Sequence, residues 1–240
     1  MRFDIITIFP HLFESYFKET IIARAIRKKK LSVNFVDLRM YAKAGDSHRS
    51  VDDRPYGGGP GMILTVEPIV KALRALERKA KSAKRKTKER IIMLSPDGKQ
   101  FTQREAERLA KYDRLVLLCG RYEGFDARVE KLVDEKISLG PYVLAGGELP
   151  AMVVMETVAR HIPGVVGHPG ALKEETFSQD LDYVEYPQYT RPEVFRPAGK
   201  RGRAWRVPKV LLVGNHRKIK EWRARKSKRS SPPLRAEIKQ

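Results

Sequence analysis

Three short stretches of this chain have a pattern suited to holding a ligand, and two of them combine glycine with polar or charged side chains. They are Leu94-Ser95-Pro96, Gly120-Arg121-Tyr122-Glu123-Gly124, and Ser138-Leu139-Gly140-Pro141-Tyr142-Val143-Leu144-Ala145-Gly146-Gly147. Glycine allows positive φ and close backbone approach, so such loops can contact a ligand through N–H and C=O groups. Taken singly, each is equally an ordinary tight turn. No Gly-x-Gly-x-x-Gly follows the first strand and no Walker Gly-Lys-Ser/Thr is present, which argues against a Rossmann dinucleotide site and a P-loop. The single cysteine, Cys119, lies in an apolar run, where a structural role is expected,. His48 and His216 read as hydrogen-bonding residues, and no cluster has metal-ligand spacing, so no metal-binding residue is expected.

Charge points to the partner. The formal net charge is +20 over 240 residues. Residues 71–90 hold ten Lys or Arg against two Glu, and residues 196–240 hold sixteen against two Glu. These two stretches exceed the whole net charge, so the rest of the chain is close to neutral. Clustered cations favour a polyanion, because each neutralised phosphate releases counterions. A solubilising face or a disordered tail is the competing explanation. One cysteine leaves no intrachain disulfide or thiolate metal site and fits a reducing compartment. The apolar runs fall short of the roughly 20 residues a membrane span needs. The amino terminus lacks the zones of a signal peptide. The expectation is a soluble cytoplasmic protein.

The elements that must position the loops follow from periodicity. Phe3–Phe9 and Leu115–Leu118 read as buried strands, and Ser32–Leu38, Ile91–Leu94 and Ile137-Ser138 as further strands,. Helical spacing marks 13–27, 66–84 and 148–160. Thr102 and Glu105 form a capping-box signature, and Asp126 could cap a helix through Val133,. Strand, helix, strand in alternation is the signature of a parallel α/β sheet. In such sheets ligands collect at the carboxyl ends of strands, where the three loops fall. Residues 41–62 form a long loop of the kind that is usually functional. Pro163, Gly164, Gly167, Pro169 and Gly170 mark a boundary, followed by a smaller domain whose clearest element is a helix over 216–226 capped by Asn215,.

Six segments in fixed order carry a resemblance over most of the chain, from Met1 to about Arg225. They are 53–62 (Asp53-Arg54-Pro55-Tyr56-Gly57-Gly58-Gly59-Pro60-Gly61-Met62), Leu94-Ser95-Pro96, 119–124, 138–150, Tyr189-Thr190-Arg191-Pro192-Glu193 and Gly214-Asn215-His216. Together they resemble the tRNA (guanine-N1)-methyltransferases of the TrmD type, in the SPOUT class. The resemblance implies an α/β fold whose parallel sheet carries a C-terminal trefoil knot, plus a small, mainly helical C-terminal domain. Ordinary connection rules alone would argue against a knot. The implied division is an S-adenosylmethionine-binding domain over 1–166, a flexible linker over 167–176, a tRNA-binding domain over 177–228, and a basic tail over 229–240.

The implied activity is methylation of guanine N1 at tRNA position 37, 3′ of the anticodon, with S-adenosylmethionine as donor. Its pocket would fall on Leu94, Ser95, Pro96, Gly120, Tyr122, Glu123, Ser138, Leu139, Gly140, Tyr142, Leu144, Gly146 and Gly147. Glu123 could instead be a surface carboxylate pairing with Arg121 or Arg128. Guanine N1 must lose a proton while charge builds on O6, so the site needs a base and a cationic donor. The resemblance places these at Glu175 and Arg160; Glu stands at 175 where the family most often has Asp, with Glu174, Asp180 and Asp182 as competing carboxylates. It implies a homodimer with each active site between subunits. Asp53 and Arg54 would lie beside the target guanine or the partner subunit, or form a structural Asp–Arg pair. Arg191, His216, Arg217 and Arg223 would contact tRNA, while Tyr189 and Trp205 could stack on unpaired bases. Trp222 is expected in the core. Mg²⁺ is a second cofactor the resemblance allows. The competing readings are another SPOUT-class RNA methyltransferase and a non-catalytic RNA-binding protein of the same fold.

Overall fold

The computed structural model describes residues 1–82, 87–168, 170–197 and 204–229, without the side chains at 81, 82, 228 and 229. Most of the basic tail expected over 229–240, and part of the basic stretch over 71–90, lie outside the described residues. The chain divides into two compact units, Met1–Pro169 and Gly170–Gln240.

The first unit is built on a parallel sheet. Its strands are β1 (Arg2–Thr7), β2 (Ser32–Asp37), β5 (Glu89–Gln100), β6 (Arg114–Cys119) and β7 (Glu135–Ser138), in the order β2-β1-β6-β5-β7. A two-residue antiparallel pair, β3 (Asp52–Asp53) and β4 (Ile63–Leu64), closes the glycine-rich loop between them. Successive side chains of a strand face opposite ways, and the core divides accordingly. Phe3, Ile5, Leu115, Leu117, Ile92 and Ile137 pack on one face with Ile22, Leu109, Val154 and Val158. Ile6, Val116, Leu118 and Met93 pack on the other with Ile69, Ala72 and Leu76. Helices on both faces explain why the strands read as nearly continuous apolar runs.

The helices are α1 (Glu14–Lys18), α2 (Thr20–Arg27), α3 (Val66–Ser82), α4 (Gln103–Leu109) and α5 (Glu148–Arg160). Three sequence expectations need correction. The helix expected over 13–27 is two, because Glu19 is extended and Thr20 has φ of 67°. The capping box at α4 is not made: Thr102 forms no side-chain cap bond. Buried Glu105 instead accepts hydrogen bonds from Lys99 (2.7 Å) and Arg108 (2.6 Å). Asp126 does cap, accepting from the Arg128 N–H at 2.9 Å, but the turn it opens, Ala127–Leu132, is 3₁₀.

β5 also differs from expectation. It does not end at Ser95-Pro96 but leaves the sheet for four residues and returns. Leu94 and Lys99 both register with Ile137, so Ser95–Gly98 forms a bulge held at both ends on β7. A Cβ on Gly98 would lie 2.6 Å from the Ile137 nitrogen, so only glycine fits the return.

The second unit contains two short antiparallel pairs, β8 (Tyr183–Val184) with β11 (Lys228–Arg229) and β9 (Val194–Phe195) with β10 (Trp205–Arg206). It also contains α6 (Lys209–Leu212) and α7 (His216–Lys226). Asn215 caps α7 as expected, accepting from the Lys218 N–H at 3.1 Å. Trp222 is buried against Tyr186 and Tyr189.

Candidate active site

The β5 bulge and the carboxyl ends of β6 and β7 enclose a cleft of about 340 Å³. Of the thirteen residues expected to form a cofactor pocket, all but Gly140 line it. Gly140 lies behind the wall: Ser138 Oγ accepts its N–H at 3.2 Å, and a Cβ there would run into the Tyr142 ring at 2.7 Å. Asp97, Phe125, Ala127 and Glu130 also line the cleft and were not anticipated.

Close backbone approach shapes the floor. The Gly147 N–H donates to the Gly120 carbonyl at 2.8 Å, joining the start of α5 to the end of β6. A Cβ on Gly147 would sit 2.6 Å from the Cys119 Cα. Tyr122, on the rim, has φ of 60°, a left-handed conformation that costs a non-glycine residue energy,. Such strain concentrates where a side chain must be aimed.

Under the floor lies a buried ion pair. Glu148, at the first position of α5, is 1% exposed. Its carboxylate accepts from Thr7 Oγ1 at 2.7 Å and from Arg121 Nε at 2.8 Å. Arg121 also donates to the Ala145 carbonyl at 3.3 Å and lies over the Phe9 ring. One guanidinium thus connects the β6 loop, the β7 loop and the end of β1. Burial, with Glu148 adding to it, pushes the neighbouring Cys119 thiol well above its ordinary pKa, so it stays a neutral core group as expected.

The pairing alternative for Glu123 is not realised. Arg121 is engaged by Glu148 and Arg128 by Asp126 (2.6 Å), while Glu123 is exposed on the rim. The glycine-rich loop abuts the same rim. The Glu123 N–H donates to the Met62 carbonyl at 3.0 Å, the Leu64 N–H to the Gly124 carbonyl at 2.9 Å, and the Glu123 side chain occupies the space a Gly61 Cβ would need. Asp53 accepts from the Arg54 N–H at 2.7 Å, and no side-chain ion pair joins the two. The structural Asp–Arg pair is therefore absent, and Arg54 is exposed.

Arg160 is the last residue of α5 in the first unit, whereas Glu175 belongs to the second. Around Glu175 the chain is tied into that unit. Tyr186 donates to Glu174 at 2.9 Å, the Glu185 N–H to Thr176 Oγ1 at 3.2 Å, and the Phe177 N–H to the Tyr183 carbonyl at 2.8 Å. Glu174 also lies 3.7 Å from Arg223, which stacks on Tyr186. Asp180 accepts from the Asp182 N–H at 3.0 Å. Arg191, His216 and Arg217 are exposed, as are Tyr189 and Trp205. Arg223 is partly committed to its own unit. Among the described residues no group of three or more His, Cys, Asp or Glu is placed to hold a metal ion. No helix among the described residues is long and apolar enough to cross a membrane.

A doubly covered parallel sheet with a backbone-walled cleft at its carboxyl edge defines an α/β ligand-binding protein. The model of the family described as tRNA (Guanine-1)-methyltransferase TrmD matches residues 1–240. A tRNA (guanine-N(1)-)-methyltransferase of Caldanaerobacter subterraneus subsp. tengcongensis is 47% identical over 227 residues, 95% of this chain and 87% of the relative. One from Endomicrobium trichonymphae is 39% identical over 99% of both chains. The crystal structure of tRNA (m1G37) methyltransferase from Aquifex aeolicus superposes with a TM-score of 0.72 at 37% identity, covering 92% of this chain and 87% of that one. The chain belongs to the tRNA (guanine-1)-methyltransferase TrmD family.

Proposed function

We propose that this protein methylates N1 of guanosine 37 in tRNA, with S-adenosylmethionine as donor. The observation that carries the reading is the cleft at the β5 bulge and the ends of β6 and β7, in a chain of this family. The cleft suits that donor. Its volume is within the range of small-ligand sites, and Leu139, Tyr142 and Leu144 supply apolar cover. The donor brings a methyl group already activated on a sulfonium, so no nucleophilic Ser or Cys is needed. The inert Cys119 is consistent with this.

The chain's own task is to prepare guanine. Glu175 removes the N1 proton, and Arg160 donates to O6 as negative charge builds there. Glu123, exposed on the rim, would serve the sulfonium side of the donor, and Asp53 and Arg54 would serve the target base. Arg191, His216, Arg217 and Arg223 hold the anticodon arm, with Tyr189 and Trp205 stacking on unpaired bases. Mg²⁺ usually keeps several waters and needs only one or two carboxylates beside substrate phosphates.

The reading includes a trefoil knot at the sheet's C-terminal side, a small tRNA-binding domain after the linker, a cytoplasmic location and a homodimer. Leu149 and Val153, one turn apart on α5 and 62% and 45% exposed, support an apolar dimer face. Methyl transfer from labelled S-adenosylmethionine to a tRNA transcript, mapped to the modified atom, tests the proposal. Transfer to guanine N1 that falls at least about 100-fold in Glu175→Gln, with both substrates still bound, is the expected result. Transfer to a ribose hydroxyl or to another base would overturn it.

A further inference from the structure

The edge of the sheet opposite the cleft carries an unassigned concentration of positive charge. Each connection that enters a strand lies there, and backbone bonds join these connections. The Ser32 N–H donates to the Met1 carbonyl at 3.0 Å, the Arg2 N–H to the Asp113 carbonyl at 2.8 Å, and the Asp113 N–H to the Lys88 carbonyl at 2.8 Å. On this edge Arg27, Lys28, Lys29, Lys30, Lys88 and Lys111 are all exposed.

The local acids are spoken for. Asp113 accepts from the Lys88 N–H at 2.9 Å, Glu89 from Arg114 at 3.0 Å, and Asp134 from the Ile91 N–H at 2.7 Å. Lys28, Lys29, Lys30 and Lys111 have no carboxylate partner among the described residues. The lysine turn is also fixed. The N–H groups of Lys28, Lys29 and Lys30 donate to the carbonyls of Arg24, Ile26 and Ala25 at 3.0, 2.9 and 2.9 Å. Lys29 has φ of 54°, at a helix end where glycine is the usual occupant,. Neutralising the end of α2 does not explain the turn, because Arg24 and Arg27 already occupy its last turn,.

We propose that this amino edge is a second RNA surface, which holds backbone phosphates of the tRNA outside its anticodon arm. The inference rests on the proposed substrate. A strand of six residues spans roughly 20 Å, so these cations lie too far from the cleft to share the phosphates beside the reacting base. The partner is a polyanion read by charge, since the edge offers lysines and no built pocket for a base.

The test is the triple charge reversal Lys28→Glu, Lys29→Glu, Lys30→Glu in the full chain, with Lys111→Glu as a second variant. Binding is measured across a salt series to full-length tRNA, to its isolated anticodon stem-loop and to a length-matched RNA duplex. Expected for the triple variant is a Kd for full-length tRNA raised about tenfold or more, with a log Kd against log salt slope shallower by roughly 2 to 3. Stem-loop binding, S-adenosylmethionine binding and the melting temperature stay at wild-type values, and Lys111→Glu shifts tRNA binding in the same direction. Unchanged tRNA affinity and slope overturn the proposal. So does equal weakening toward the stem-loop or the duplex. Wild-type protein that binds tRNA but transfers no methyl group would sink the functional reading instead, while the binding comparison still decides on the edge.

Discussion

Glu148 shows how much of the site depends on a side chain that does not line the cleft. Its carboxylate is buried with hydrogen bonds from Thr7 and Arg121. Glu148→Gln would leave the Arg121 cation beside a neutral amide. Removing one partner of a buried ion pair costs about 3 to 5 kcal/mol, and because Arg121 is partly exposed we expect about 3. The melting temperature and the affinity for S-adenosylmethionine should both fall, and the double variant with Arg121→Met should recover part of the stability. A variant as stable as wild type would deny the pair its role. Asp4 makes a second residue-scale prediction. Burial alone would raise its pKa, but hydrogen bonds from Arg2, Arg114 and Asn34 outweigh this and hold the pKa below its ordinary value. A depressed folded-state pKa contributes stability that is present above the unfolded value, near 4, and is lost as pH falls through the folded one. Denaturation curves from pH 6 to 2 should therefore show a steeper acid loss in wild type than in Asp4→Asn, which is less stable at neutral pH.

At the scale of elements, the β5 bulge is the sharpest test of what positions the cleft. In Gly98→Ala the new methyl meets backbone atoms of Lys136 and Ile137, which cannot swing aside as a side chain could. Overpacking of this kind costs roughly 1 to 3 kcal/mol. The strain should appear as weaker ligand binding by calorimetry with the rest of the sheet intact; unchanged affinity would show that β7 tolerates the shift. The bulge also marks where sequence reading stopped. The strands were legible where apolar residues are bounded by turn residues, most clearly in β1 and β6,. The return of β5 after Pro96 was not, since the two halves share a strand only through their pairing with β7. The break at Glu19 and Thr20 was hidden because Phe13, Phe17 and Ile22 keep one apolar spacing across it. Thr102 and Glu105 carried the right spacing for a capping box, but Lys99 and Arg108 offered Glu105 stronger partners. In the site, the glycines announced the loops after β6 and β7, whereas Thr7 and Glu148, 141 residues apart, could be joined only by the topology.

For the whole molecule, the proposed dimer turns an exposed apolar stripe into a requirement for activity. Val153→Arg on α5 adds a charge to a face that is 45% exposed in one chain, so folding should be little affected. Sedimentation should then report monomers, and methyl transfer should fall by more than about tenfold, since a buried unpaired charge disfavours association by several kcal/mol. A variant that remains dimeric would place the interface elsewhere.

The position of β7 has a consequence for how the binding site is held together. This strand is only four residues long, lies at the edge of the sheet and pairs with β5 alone. Yet the loop it feeds forms one wall of the cleft. Without this short edge strand in place the cleft lacks a wall. A ligand bound there acts as a latch: its free energy of binding is added to the closed state of that edge. Ligand binding then opposes fraying of this edge, and a saturated protein should protect the amides of β7.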